Sequence, residues 1–247
     1  MNITGNTILI TGGGSGIGRA LAEALLARGN NVIVTGRNRD KLKDLEAANP
    51  GIHTFQLDVD DPDEITAFSR QVVEDFPSLN VLINNAGIMR AEAVRDGSTA
   101  TAEATITTNL LGPIRLTTAL LPHLISMPDA ALLTVSSGLA FLPRGGFPTY
   151  CATKAAIHSY SQTLRVQLRG TSVQVIELVP PYVQTELTGP QQASDPNAMP
   201  LEDYISQTMV LLQEQPDAEE ILVERVHFQR FAEREGRYQE SFARLNG

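Results

Sequence analysis

A single cysteine, Cys151, rules out any disulfide within the chain and fits a reducing compartment. Set beside Tyr150, it reads as a small packed helix residue, not a redox centre. Histidine is scarce too. His53, His123, His158 and His227 are scattered without ligand spacing, so no metal is expected. Positive charge is in deficit: 19 Lys and Arg face 28 Asp and Glu, a net charge of −9. That balance argues against nonspecific attraction to nucleic acid or an anionic membrane. Any phosphate site must then be local, built from a helix N-terminus and a few arginines. Long apolar runs are missing as well. Arg115, Pro122 and His123, or Ser136-Ser137-Gly138, interrupt them before they could span a bilayer. A strand pattern begins by Thr7, leaving no room for a signal peptide. There are no repeats and no low-complexity stretches. The expectation is a cytoplasmic protein acting on a small molecule, with neither nucleic acid nor membrane as partner.

What the chain does have is a regular alternation. Its 247 residues, 42% hydrophobic, suit one α/β domain spanning residues 1–247. Short β-rich apolar runs predict strands over Thr7–Thr11, Asn31–Thr35, Ile52–Leu57, Val81–Asn84, Ala130–Val135 and Val173–Val179. Between them, helical patterns cover Gly16–Arg28, Arg39–Ala48, Pro62–Asp75, Thr99–Leu121 and Thr149–Arg169. Asp61 is a plausible cap for the third helix, and the fourth is expected to bend near Gly112-Pro113. Such βαβ units predict a single doubly wound, Rossmann-type sheet, mostly parallel, with helices on both faces. Pro180–Pro200 carries five prolines and reads as a long ordered or semi-mobile lid. A helix is expected over Leu201–Gln213. Glu220–Val226 reads as an edge strand or a helix, and Phe228–Leu245 as a charged helical tail.

Ligands of such sheets sit beyond the carboxyl ends of the strands, and the distinctive residues fall there. Thr11-Gly12-Gly13-Gly14-Ser15-Gly16-Ile17-Gly18 follows the first strand, a glycine-rich turn suited to a dinucleotide pyrophosphate. Asn84-Asn85-Ala86-Gly87 closes the fourth strand and Ser137 follows the fifth. Tyr150 and Lys154 lie one helical turn apart, on one face of a helix. Reducing a carbonyl needs a hydride donor, which only a cofactor supplies, and an acid at the developing alkoxide. A tyrosine is a weak acid, with a free pKa near ~10. A neighbouring ammonium favours the phenolate and is expected to lower it. Ser137 can hold the substrate oxygen against Tyr150. Leu139, Phe141, Leu142, Phe147, Tyr182 and Leu187 suggest an apolar substrate pocket, with Leu139, Phe147, Tyr182 and Leu187 joining Ser137 as its candidate lining.

Taken together, these residues resemble the short-chain dehydrogenase/reductase family, over nearly the whole chain. The glycines at 12, 16 and 18 have that family's spacing. The resemblance implies an oxidoreductase, with Asn109, Ser137, Tyr150 and Lys154 as the catalytic set. It also implies that Lys154 grips the nicotinamide ribose and that Asn109 holds a water in a proton relay. Cofactor contacts are implied for Thr11, Gly12, Gly14, Ser15, Gly16, Ile17, Gly18, Asp58, Val59, Asn85, Ala86, Gly87, Tyr150 and Lys154. Pro180, Val183 and Thr185 would face the nicotinamide. Pro180-Pro181 departs from the family's Pro-Gly, and the tail Phe228–Gly247 replaces its usual ending, which puts the usual subunit interface in doubt. A homodimer or homotetramer is the expectation. The stretch Val179–Leu187, with Asp195-Pro196-Asn197, resembles the DltE-like branch.

The end of the second strand bears on which nicotinamide is used. Folds that prefer NADH usually carry an acidic residue there for the ribose hydroxyls. Here Gly36 is followed by Arg37, Asn38 and Arg39, so NADPH/NADP+ is expected over NADH/NAD+, with Arg37 on the 2′-phosphate. The leading reading is an NAD(P)(H)-dependent carbonyl reductase or alcohol dehydrogenase. A second is a regulatory protein that binds the cofactor with little catalysis.

Overall fold

A computed structural model describes residues 1–247. Seven strands form one parallel sheet: β1 (Thr7–Thr11), β2 (Asn31–Gly36), β3 (Ile52–Gln56), β4 (Leu79–Asn84), β5 (Ala130–Val135), β6 (Val173–Leu178) and β7 (Glu220–Ile221). Their spatial order is β3-β2-β1-β4-β5-β6-β7. The doubly wound expectation holds.

Strand periodicity explains why both faces are covered. Successive side chains point to opposite sides. Ile8, Ile10, Val32, Val34, Val81 and Ile83 feed one core, Leu9, Ile33, Leu82 and Leu132 the other. Onto the first pack Leu21 and Leu25 of α1 (Gly16–Leu26), Leu42 and Leu45 of α2 (Arg39–Ala48), and Tyr204 and Met209 of α7 (Leu201–Glu214). Onto the second pack Ile65, Phe68 and Val72 of α3 (Pro62–Asp75), Leu116, Leu120 and Leu124 of α5 (Gly112–Ser126), and Leu164 of α6 (Pro148–Gln167). Asp61 caps α3 as expected, accepting from the Asp63 and Glu64 amides at 2.8 and 3.1 Å, with Pro62 opening the helix. No helix is long and apolar enough to cross a membrane.

The central helix departs from expectation. The break is not at Gly112-Pro113, which α5 takes as its first turn. It lies before them, where α4 (Ala100–Ile106) passes into a π-helical turn at Thr107–Leu111. Such wide turns cluster at functional sites, and Asn109 is in this one. At the far edge β7 has only two residues. Its backbone support is Glu177 N to Glu219 O (2.9 Å) and Val179 N to Ile221 O (3.2 Å). The chain then turns through a 3₁₀ segment, Glu224–Val226, into α8 (His227–Arg230) and α9 (Tyr238–Asn246).

Residues 180–200 form a braced loop. The buried Gln192 amide donates to Val183 O (2.8 Å) and Thr185 Oγ1 (3.0 Å) and accepts from the Thr188 amide and hydroxyl. Gln184 N and Met199 N add backbone bonds of 2.8 Å to Met199 O and Tyr182 O.

Candidate active site

β1 and β4 are neighbours whose following segments diverge, so a crevice opens at their carboxyl ends. There lies a cavity of about 880 Å³. The glycine turn makes its floor. Gly12 has φ +66°, and a Cβ on it would meet the Ala86 Cα at 2.8 Å. A Cβ on Gly18 would run into the Asn85 amide and come within 2.7 Å of the Gly12 carbonyl oxygen. Backbone therefore packs on backbone here, and only hydrogen fits. No side chain caps α1 at Ser15, so the orphan amides of its first turn face a space lined by Ser15, Gly16 and Ile17. That is an anion site of the kind a pyrophosphate needs, and a nicotinamide dinucleotide fits the cavity on these grounds.

Most of the residues singled out in the sequence line this cavity. Gly12, Ser15, Gly16, Ile17, Gly18, Arg37, Val59, Asn85, Ala86, Gly87, Pro180, Val183 and Thr185 do so, as do the pocket candidates Ser137, Leu139, Phe147, Tyr182 and Leu187. Thr11, Gly14 and Asp58 do not. Thr11 is buried, and its hydroxyl accepts from the Asn85 and Ala86 amides, both at 3.0 Å. It thus fixes the loop after β4. Gly14 backs onto Lys41 and Leu42. Phe141 and Leu142 also stay out: Leu142 is fully buried, and Phe141 packs edge-on to His158 at 4.7 Å.

Arg37 stands at the cofactor end, but not alone. Its Nη1 is 3.6 Å from Asp60 Oδ2 and 4.0 Å from Asp58 Oδ1. The end of β2 itself has no carboxylate, as the sequence shows, yet the turn after β3 brings two. A second cation, Lys41 of α2, lines the same end and pairs with Glu186 at 3.4 Å.

Tyr150, Lys154, Ser137 and Asn109 are brought together, all buried. Lys154 Nζ donates to the Val135 carbonyl at 2.7 Å and lies 5.6 Å from the Tyr150 ring centroid. Gly87 marks the meeting point. A Cβ there would be 3.3 Å from Asn109 Oδ1 and 3.7 Å from Lys154 Nζ. The Asn109 amide is fully committed: Oδ1 accepts from Ile88 N at 2.8 Å, and Nδ2 donates to Ile88 O at 2.9 Å and Thr153 Oγ1 at 3.3 Å. It clamps the loop after β4 against α6. Ser137 Oγ accepts from Leu139 N at 3.1 Å, whereas Ser136 Oγ points back to Leu178 O at 3.5 Å.

The electrostatics overturn one expectation. Burial pushes the Tyr150 hydroxyl up to about 12, with the Ser137 hydroxyl opposing. The same burial pulls Lys154 down to about 8, against the pull of Glu177. In the protein alone, desolvation therefore outweighs any help the ammonium gives the phenolate. Lys154 provides a test. Between pH 8 and its ordinary 10.5 the unfolded chain holds a proton that the folded chain has shed, so folding stability rises with pH across that window. Wild type should gain on the order of 1–3 kcal/mol over Lys154→Met between pH 8 and 10, read by denaturant unfolding of the cofactor-free proteins. A constant difference would mean that Lys154 titrates normally.

Behind α6 lies a charged network the sequence did not show. His158 Nδ1 is 2.7 Å from Oε2 of Glu177, a fully buried residue of β6. Arg230 forks onto Glu220 at 2.6 and 2.9 Å and covers the Phe141 ring at 4.5 Å. His158, Glu177 and Glu220 offer ligand atoms within 4.8 Å of one another, but Arg230 holds both oxygens of Glu220. The network ties the C-terminal segment to the turn after Ser137, where Gln229 presses on Gly138. That segment adds Phe228, Gln229 and Arg244 to the cavity wall, none foreseen. Arg90 and Arg144 also line it; Arg90 follows closely on Asn84-Asn85-Ala86-Gly87, the one signal that would have found it.

The parallel sheet, glycine-floored crevice and buried Ser-Tyr-Lys group define a dinucleotide-dependent oxidoreductase. The short chain dehydrogenase family model matches residues 6–196, and the chain belongs to that family. It is 42% identical to an uncharacterized oxidoreductase of Bacillus subtilis (strain 168), DltE, over 100% of this chain and 98% of that protein. It is 35% identical to a sulfoacetaldehyde reductase of Chromohalobacter salexigens over 76% of this chain and 78% of that one. Among solved structures, a short-chain dehydrogenase from Streptomyces avermitilis superposes with a TM-score of 0.84 at 26% identity, covering 97% of this chain and 96% of that one. A serine dehydrogenase complexed with NADP+ superposes at 0.77, also 26% identical, covering 83% of this chain and 88% of that one.

Proposed function

We propose that the protein is an NADPH-dependent reductase that interconverts an aldehyde or ketone and its alcohol. The observation that carries this reading is the burial of Tyr150, Ser137 and Lys154 together, on the wall of a cavity that starts at an uncapped helix N-terminus. A bound nicotinamide supplies the hydride. Ser137 Oγ holds the substrate oxygen, and Tyr150 Oη exchanges the proton with it. Lys154 provides positive charge and a donor for the ribose. Asn109 keeps Ile88 and α6 in place around them. Two relatives support the reading: one is named for reducing an aldehyde, and one holds NADP+.

Ketone and aldehyde reduction, followed by NADPH absorbance, tests the activity. Ser137→Ala should lower kcat by about ten- to a hundredfold while leaving the melting temperature nearly unchanged, since an oxyanion contact contributes on that scale or more. Ser136→Ala should be mild, and the reverse ranking would move the role to Ser136. For the cofactor, Arg37→Ala should raise KM for NADPH tenfold or more, consistent with about 1.5–3 kcal/mol for a charged hydrogen bond. It would also leave Asp58 and Asp60 facing the 2′-phosphate uncompensated. NADH kinetics should barely change. Wild-type protein that used NADH as well as NADPH would remove Arg37 from this role.

A further inference from the structure

The cavity's charge is the opposite of the chain's. Seven of the 19 basic residues line it, but only one of the 28 acidic ones, Glu186. Glu186 lies at the cofactor end, paired with Lys41. Arg37 and Lys41 serve that end, and Lys154 the centre. Four guanidiniums remain, Arg90, Arg144, Arg225 and Arg244, and they come from separate parts of the chain. Arg90 stands between Ile88, which Asn109 holds, and Glu92, whose carboxylate takes the Thr149 amide and hydroxyl at 3.0 and 2.7 Å beside Tyr150. Arg144 sits 5.9 Å from the Phe147 ring centroid. Arg244 belongs to α9, which Asn246 fastens to the Pro143 carbonyl at 3.1 Å. Arg90, Arg144 and Arg244 are therefore tied to the Tyr150 side, away from the glycine turn.

None of the four is in a salt bridge. Arg225 alone is spoken for, by the Asn197 carbonyl. The nearby carboxylate of Asp195 is held by Tyr182 Oη at 3.0 Å and by Asn197 N at 2.8 Å. Several like charges facing one nearby carboxylate, Asp195, leave a net positive field that raises the local concentration of anions. Guanidiniums also fork onto carboxylate, sulfonate or phosphate oxygens. On the same reading, the cofactor's own phosphates fall to Arg37, Lys41 and the first-turn amides of α1.

Resting on the reductase reading above, we propose that the substrate carries an anionic group remote from its carbonyl, and that Arg90, Arg144 and Arg244 receive it at the cavity mouth. The substrate class is a short oxo acid, a carbonyl compound ending in a carboxylate, sulfonate or phosphate.

The test sets ω-oxo carboxylates and ω-oxo sulfonates against their neutral methyl ester or amide counterparts, with NADPH. The acids should have at least tenfold higher kcat/KM. Added salt should erode that advantage and leave the neutral compounds unchanged. Arg144→Gln and Arg244→Gln should lower the ratio several-fold each, chiefly through KM, with unchanged melting temperatures because both side chains are exposed. Neutral compounds reduced as well as the acids would overturn the anionic substrate and leave the reductase standing. Were no carbonyl reduced, the reductase reading would fail. Calorimetry of a short alkyl carboxylate and its amide against the protein with NADP+ would still decide the anion site. Carboxylate-only binding, weakened by Arg144→Gln, upholds it; equal binding, or none, overturns it.

Discussion

Tyr150→Phe should lower kcat by two to four orders of magnitude, about the range a positioned general acid contributes, and leave cofactor affinity largely intact. The substitution removes one oxygen from a buried ring and keeps its packing. Because burial holds this hydroxyl near 12, Tyr150 is protonated at neutral pH and ready to donate. The reverse step, alcohol oxidation, needs the phenolate and should rise steeply toward alkaline pH. Single-turnover kinetics and NADPH titration of the variant check both points. Near-wild-type turnover would show that the proton goes elsewhere. Lys154→Ala should differ by weakening turnover and cofactor binding together.

Gly12→Ala should weaken NADPH binding by a hundredfold or more and lower the melting temperature as well. The backbone at φ +66° costs a residue with a Cβ about 1–2 kcal/mol. The added carbon would also push on the Ala86 Cα, 2.8 Å away. The second effect is the larger one for function. Ala86 and Asn85 hang from the Thr11 hydroxyl, so displacing them moves the cavity's floor and the loop that Asn109 clamps. Calorimetric titration and thermal unfolding measure the two losses separately. A variant that melts lower but binds NADPH normally would confine Gly12 to folding.

The site's framework was legible in the sequence because its parts are local. An apolar run ending in Thr11-Gly12 announces a strand and a tight turn, and Tyr150 and Lys154 share a helix face by spacing alone. Other features arise only when distant segments meet. Thr107–Leu111 carries no residue that demands a π turn; the turn holds Asn109 where it reaches both Ile88 and Thr153. Asp58 and Asp60 reach Arg37 because β2 and β3 lie side by side. The direction of the Tyr150 shift needed its burial, which comes from packing and not from its neighbour at position 154. The arginines of the mouth are united by the fold of the C-terminal segment, whose sequence has no motif.

The wide turn at Thr107–Leu111 also bears on how this helix could change length. Such a turn accommodates one residue more than an α-helix would over the same rise. Deleting a single residue there would let the ladder close as a regular α-helix, with the segments on either side keeping nearly the same relative orientation. Leu116 and Leu120 could then stay in the core, but the wide turn that carries Asn109 would be gone, and with it the bonds to Ile88 and Thr153. Such a deletion should therefore spare the fold and harm the site, whereas a deletion in a regular turn of the same helix would rotate one side by about 100° relative to the other.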